Sequence, residues 1–407
     1  MRCLFLFYSF LLLLISCKKE IEKDSFKEEP TTRLEVIWKN SLHEDSSLTV
    51  SVKPIFFSDK VIFSNVWRSG SDQIIQFDAI SGERLGVWRD YVIPTEFLSN
   101  ENLSFKYPNL IISSGYTFVS LNCETMQTNW KYEFPDGEGL SFHYLDNDEI
   151  LTSVEYDGFK PNARAAILRS SILNPDFDTL HVEEIENEYA PRLVSICRVF
   201  RPNGDTLLVF KNHRYNFSKL SYYTEVVCKN LNNDSIVWSF ENHDNNDGIN
   251  PILPFSDYLL IPCGSRLLFV DILSGNVVWE YDHQGFGDQV LFGNGGIVIN
   301  ENWVFVRSED EVITALNMID GTVNWVRKNS GYFSENEKIT FNKGKLFYCA
   351  EGYFWVLDAF SGEILIKERS PRPFAGYQGT PTVDPSRNVV YLNDGKFAYC
   401  LKLPDFN

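Results

Sequence analysis

The chain of 407 residues is poor in the residues that usually carry chemistry. Its eight cysteines include no C-x-x-C, no C-x-x-C-H and no adjacent pair, which removes the dithiol redox and covalent haem motifs. The six histidines, His43, His143, His181, His213, His243 and His283, show no metal-ligand spacing. The glycine-rich stretch Phe292–Asn300 (FGNGGIVIN) lacks a following Lys-Ser/Thr and opens a strand rather than a helix, so it is no phosphate loop. No nucleophile elbow is present. Basic residues are outnumbered 37 to 55, giving a net charge of −18, a field that repels nucleic-acid phosphates and anionic headgroups. Only one long apolar run exists, the twelve residues Leu4 to Ile15, well short of the roughly 20 needed to span a bilayer.

That run follows Met1-Arg2 and closes on Leu14-Ile15-Ser16-Cys17, with Lys18-Lys19-Glu20 immediately after. A basic start, a short apolar core and a small residue before the cut describe a secretory signal peptide, and cysteine just behind Leu-Ile-Ser resembles the bacterial lipobox. The expectation is cleavage after residue 16 and acylation of Cys17, whose several chains would hold the protein on a membrane. Residues 17–33 then read as the lipidated cysteine and a flexible, solvated tether, and residues 34–407 as one domain. Loss of the leader with its Arg2 makes the mature charge −19. Export permits disulfides, yet the six remaining cysteines sit mostly inside apolar strand-like runs, where free thiols pack as small hydrophobes.

What the sequence does have is a repeat. FDAISGERLGVW, LNCETMQTNW, KNLNNDSIVW, VDILSGNVVW, LNMIDGTVNW and LDAFSGEILI share one rule: an Asp or Asn, a turn residue four later, and a bulky apolar residue four beyond that. The positions are Asp78-Gly82, Trp130, Trp238, Asp271-Gly275-Trp279, Gly321-Trp325 and Asp358-Gly362. Met126 stands where glycine would be in the second copy, and the first copy slips, with Gly86 in the tryptophan register and Trp88 two later. Between Asn122 and Asn230 there is room for one degenerate unit, AILRSSILNPDFDTLHVEE. The final unit ends before its fourth strand, while LEVIWKNSL (Leu34–Leu42) supplies a Trp38-bearing strand with no unit of its own. Fixed-period short strands with turn residues indicate a β-propeller. The expectation is therefore an all-β chain of eight blades, seven being the alternative count, closed by the N-terminal strand pairing into the last blade. The Asp/Asn–Gly turn reverses the chain between third and fourth strands, and the tryptophan leans onto the neighbouring blade.

The unit LxxLDxxSGxxxW resembles the repeat of the quinoprotein-dehydrogenase-like propellers, over roughly residues 34–403, with TPTVD as a first-strand opening. Repeat, length and lipobox together are architecturally similar to the propeller lipoproteins of the outer-membrane β-barrel assembly machinery. The resemblance implies fold; the same repeat serves dehydrogenases and non-enzymatic scaffolds. No vicinal disulfide can form and no compact Glu/Asn/Asp set marks a Ca²⁺-quinone site. The stretch Glu241–Asn250 (ENHDNNDGIN) fails the EF-hand pattern at Asp247 and Leu253 and reads as an inter-blade turn. The functional expectation is a non-enzymatic scaffold in the bacterial cell envelope, anchored by lipid to what the resemblance implies is the outer membrane. It holds a protein or extended ligand, with no catalytic residue, metal or cofactor assigned, and is monomeric outside its complex. The alternative is a quinone-dependent oxidoreductase. The partner site is expected on the face carrying the blade-to-blade links, where the link of the fourth unit, KNHRYNFSKLSYY, is rich in aromatic and basic residues. Trp67, Arg68, Arg214, Tyr215, Phe217, Tyr222, Tyr223, Arg372 and Tyr377 are its candidates, because Tyr and Arg dominate interface energetics.

Overall fold

In a computed structural model the described residues are 33–42, 53–65, 73–90, 103–114, 116–135, 138–156, 163–185, 189–216, 218, 221–242, 250–283, 292–308, 312–328, 338–372 and 375–406. They form thirty-two strands and no helix. The strands make eight four-stranded antiparallel sheets arranged as a β-propeller. Blades 1 to 7 span residues 55–88, 103–133, 138–184, 189–242, 253–282, 292–328 and 340–369, each a meander of four consecutive strands. Blade 8 takes three strands from residues 378–402, and its fourth is Val36–Ser41, paired antiparallel to Phe397–Lys402 with Trp38 opposite Cys400. The expected N-terminal closure is therefore present, and the blade count is eight.

Burial explains which residues each strand uses. Second and third strands are covered on both faces by neighbouring blades, so Lys345–Ala350 (KLFYCA) and Val312–Asn317 (VITALN) are almost wholly buried apolar runs. Fourth strands lie at the rim and alternate, as in Gln127–Glu133 (QTNWKYE), the pattern of a strand with one covered face. First strands meet one another at the centre, where the Thr382 hydroxyl donates to the Pro54 carbonyl at 2.5 Å, tying blade 8 to blade 1. All six described cysteines are buried free thiols. Burial pushes the Cys123, Cys197, Cys228 and Cys400 thiols up to about 12.

Strand alternation gives the molecule two distinct faces. Links between first and second and between third and fourth strands lie on one, the turn face. Links between second and third strands and from blade to blade lie on the other, the crossover face. Cys17 lies outside the described residues.

Candidate functional site

Each joint between blades is built from one side chain of an outer strand and the next blade's turn. The Trp279 ring covers Gly321 so closely that a Cβ there would stand 2.7 Å from it, and its Nε1 donates to the Met318 carbonyl at 2.9 Å. Gly321 has φ +70°, the left-handed conformation that glycine adopts without strain. Trp38 on Gly82, Trp238 on Gly275 and Trp325 on Gly362 repeat the arrangement, with Nε1 bonds to Ala79, Ile272 and Ala359. The turn is fixed by its leading carboxylate: Asp271 Oδ1 accepts from the N–H groups of Leu273 and Ser274. Backbone bonds from Ser81 and Ser274 hold the Asp78 and Asp271 carboxyls below the ordinary range. Asp358 accepts equivalent bonds from Phe360 and Ser361.

Trp130 keeps the bond, to the Ile172 carbonyl at 2.9 Å, over a turn without glycine, and three joints depart further. Between blades 1 and 2 large and small exchange places: Gly86 is the small partner and Met126 of the next turn rests on it, 2.9 Å from where a Cβ would be. Trp88 bonds Thr128 instead, at 2.8 Å. Between blades 7 and 8, Ile366 takes the tryptophan register, and Leu34 the glycine position, since the Lys402 N–H bonds the Glu35 carbonyl as Asp358 N–H bonds Glu363. There the Leu34 N–H donates to Glu368 Oε2 at 3.2 Å, and burial pushes the Glu368 carboxyl up to about 7.

The third departure is polar. In blade 3 the tryptophan register falls to His181, opposite Ile167 beyond the same bulge that precedes each tryptophan. The Lys229 ammonium can only donate, so His181 Nδ1 accepts from it (3.1 Å) and Nε2 donates to Glu183 at 2.8 Å. Lys229 also pairs with Asp234 at 2.6 Å, and Glu183 with Arg214 at 3.0 Å. Burial would raise the Glu183 carboxyl, but the contacts of His181 and Arg214 outweigh it and hold it below its ordinary range. A second cation crosses the same joint, Arg198 to the partly exposed Asp146 and Glu149.

Blade 4 is also the longest. Its second strand, Thr206–Asn216, has 11 residues against six in blades 5 to 7, and four of the extra residues lengthen the hairpin toward the crossover face by about 13 Å at the usual rise per residue. Most of the segment expected as a link is thus strand, with Tyr215 opposite Tyr222 and Asn216 opposite Ser221. The ladder continues because polar side chains there find partners across blades. Arg214 is buried between Glu183 and Glu225, so its charge is spent internally rather than presented to a partner. Tyr215 and Tyr223 are half-buried, and Tyr223 meets the Tyr189 ring edge-on.

Tyr377 is likewise not a surface residue. It lies in the core between blades 7 and 8 against Tyr399, because its link turns inward to begin the first strand of blade 8. Arg372 is partly exposed and fixed on the buried Asp394, which also accepts from Ser370 and Tyr399. Trp67, Arg68 and Phe217 lie outside the described residues, and for Tyr222 only the strand is described.

A cavity of about 440 Å³ opens beside the first strands of blades 1, 2 and 8, lined by Lys53, Ile55, Phe56, Leu103, Phe105, Lys338 and Thr382. Burial and the charge of Lys338 keep the Lys53 amine below its ordinary value. The described lining has two ammonium groups and no carboxylate. Among the described residues no three His, Cys, Asp or Glu side chains could share a metal ion. The described lining therefore does not fit a cation-bound quinone.

Residues 223–342, from the third strand of blade 4 to the first of blade 7, match the family model described as outer membrane protein assembly factor BamB. The structure of BamB from Moraxella catarrhalis is 13 % identical, with a TM-score of 0.57 over 92 % of this chain and 99 % of that one. The chain is a PQQ-repeat-like propeller resembling BamB. A europium-containing methanol dehydrogenase is 11 % identical, with a TM-score of 0.62 over 91 % of this chain and 93 % of the other. The computationally designed Ika8 protein is 13 % identical, with a TM-score of 0.61 over 88 % and 97 %. No curated protein matches. Likeness at such identity shows the fold alone, and a fold shared by BamB, an enzyme and a designed protein leaves the function open.

Proposed function

We propose that this protein is a lipid-anchored scaffold of the bacterial envelope that holds a partner protein, or an extended ligand, on its crossover face. Acylation of Cys17 supplies the membrane attachment. The observation that carries the reading is the lengthened hairpin of blade 4, which adjoins the segment matching the BamB model and raises Tyr215 and Tyr223 toward the crossover face. The link bearing Arg372 opens on the same face by strand alternation, and Trp67-Arg68, outside the described residues, are proposed to join it. Buried Arg214 acts here as a prop that stiffens the hairpin through Glu183 and Glu225, and aromatic side chains on a stiff support bind at low entropic cost.

The test is crosslinked recovery of partners from native envelopes. Replacing Tyr215, Tyr222 and Tyr223 together by Ser should abolish recovery with melting unchanged; full recovery would place the site elsewhere. Quinone absorbance in the purified protein would instead establish the oxidoreductase alternative.

A further inference from the structure

The turn face carries a recurrent exposed apolar side chain, of which one, the Phe360 ring, also meets Trp303 edge-on at 5.3 Å. Two residues after the leading Asp, Asn or Ser of the turn stand Ile80, Leu173, Leu273, Ile319 and Phe360, in blades 1, 3, 5, 6 and 7. Their exposure runs from 44 % at Leu273 to 75 % at Leu173. In each, the preceding side chain binds the residue's own backbone N–H, as Asp78 does for Ile80 at 3.0 Å and Ser171 for Leu173 at 3.2 Å. The side chains are therefore held on short, hydrogen-bonded turns. Single exposed apolar residues need no explanation, but one repeated at the same place around a ring is a patterned surface.

The course of the chain indicates what covers it. Leu34 and Glu35 occupy the place of a third-to-fourth-strand turn in blade 8. The polypeptide from Cys17 thus joins the fold on the turn face, within the sixteen residues from Lys18 to Arg33. We infer that the turn face rests on the lipid surface to which Cys17 is anchored, with these five side chains entering the interface, so that the crossover face points away from the membrane. This rests on the lipidation reading above and adds an orientation to it. Apolar groups gain by entering the headgroup boundary. The turn carboxylates of Asp78, Asp271 and Asp358 among them favour a zwitterionic surface over an anionic one.

The experiment uses the acylated protein in phosphatidylethanolamine–phosphatidylcholine vesicles with chain-bound spin quenchers, and one environment-sensitive thiol probe at a time. Leu173→Cys places the probe on the turn face and Tyr116→Cys, also exposed, on the crossover face. The native thiols are buried and stay unlabelled. The Leu173 probe should be quenched at least about threefold more than the Tyr116 probe, an interfacial contrast. Phosphatidylglycerol in the vesicles should reduce it. Changing Ile80, Leu273, Ile319 and Phe360 to Ser should erase the contrast while the acyl chains keep the protein on the vesicles. Equal quenching at both sites, or none at either, in vesicle-bound protein overturns the orientation alone. Protein that neither carries acyl mass nor binds vesicles overturns the lipidation reading beneath it.

Discussion

The joint between blades 5 and 6 and the joint between blades 3 and 4 solve one geometric problem with opposite chemistry. At the first, an indole covers a glycine and makes one bond to a carbonyl. At the second, an imidazole in the same register is held by an ammonium on one nitrogen and a carboxylate on the other. Propeller geometry therefore does not require a tryptophan at every joint. It requires a side chain that reaches across the joint and a partner shaped to receive it. The apolar joint draws on buried area, which is indifferent to pH. The polar joint draws on paired charges, which add little net stability when complete and are costly when one member is removed.

The largest effect expected from breaking this comparison is at the apolar joint. Trp279→Ala should cost about 3–5 kcal/mol, as aromatic truncations in cores do, and the loss measured by denaturant melts should be the same at pH 5 and pH 8. Glu183→Gln should cost about 1–3 kcal/mol near pH 8, the range for stranding a buried partner. Its pH dependence has a definite sign. The Glu183 carboxyl is held below its ordinary range in the fold, so its stabilisation is present above that range and is lost as pH falls through the folded value. The gap between variant and parent should close in acid; a constant gap would show that the ion pairs do not hold this joint.

Glu368 should behave in the reverse manner. Pushed up to about 7 by burial, it makes the fold progressively less stable as pH rises from the usual carboxylate range to 7. Glu368→Gln keeps an oxygen for the Leu34 N–H, and should flatten that slope and raise the melting midpoint at pH 8. The last of these effects is at the inverted joint of blades 1 and 2. Gly86→Ala should cost about 1–3 kcal/mol through overpacking against Met126. Met126→Gly should recover part of it in a double-mutant cycle, since it removes the contact and suits a φ of 54° at that position.

The architecture was legible because the repeat writes its own constraints into sequence. An Asp that must bind two N–H groups, a glycine that must be left-handed and a ring that must reach across recur at fixed spacing, and these made blades 1, 2 and 4 to 7 visible. Even the slip at Gly86 and the substitution at Met126 were readable, though not that each answers the other. His181 was hidden because its unit has neither glycine nor tryptophan; only aligning LHVEE to the tryptophan register would have found it. The hairpin of blade 4 was misread as a link because Lys211, Asn212, Arg214 and Asn216 lack a strand's apolar alternation. Their burial depends on carboxylates such as Glu183, 31 residues away in sequence. A polar run that is satisfied from a distance looks the same as one satisfied by water.

Closure through Val36–Ser41 also sets an order of events. Val36 pairs with Leu401, so the first strand made must wait for almost the last before it has a partner. Until then the ring has an open edge on blade 8 and an uncovered turn at Gly82, where Trp38 belongs. Pairings this distant are slow to form and leave strand edges exposed meanwhile. The propeller therefore becomes a closed object only once Phe397–Lys402 has emerged, and any factor that guards it during synthesis has its work concentrated at that one seam.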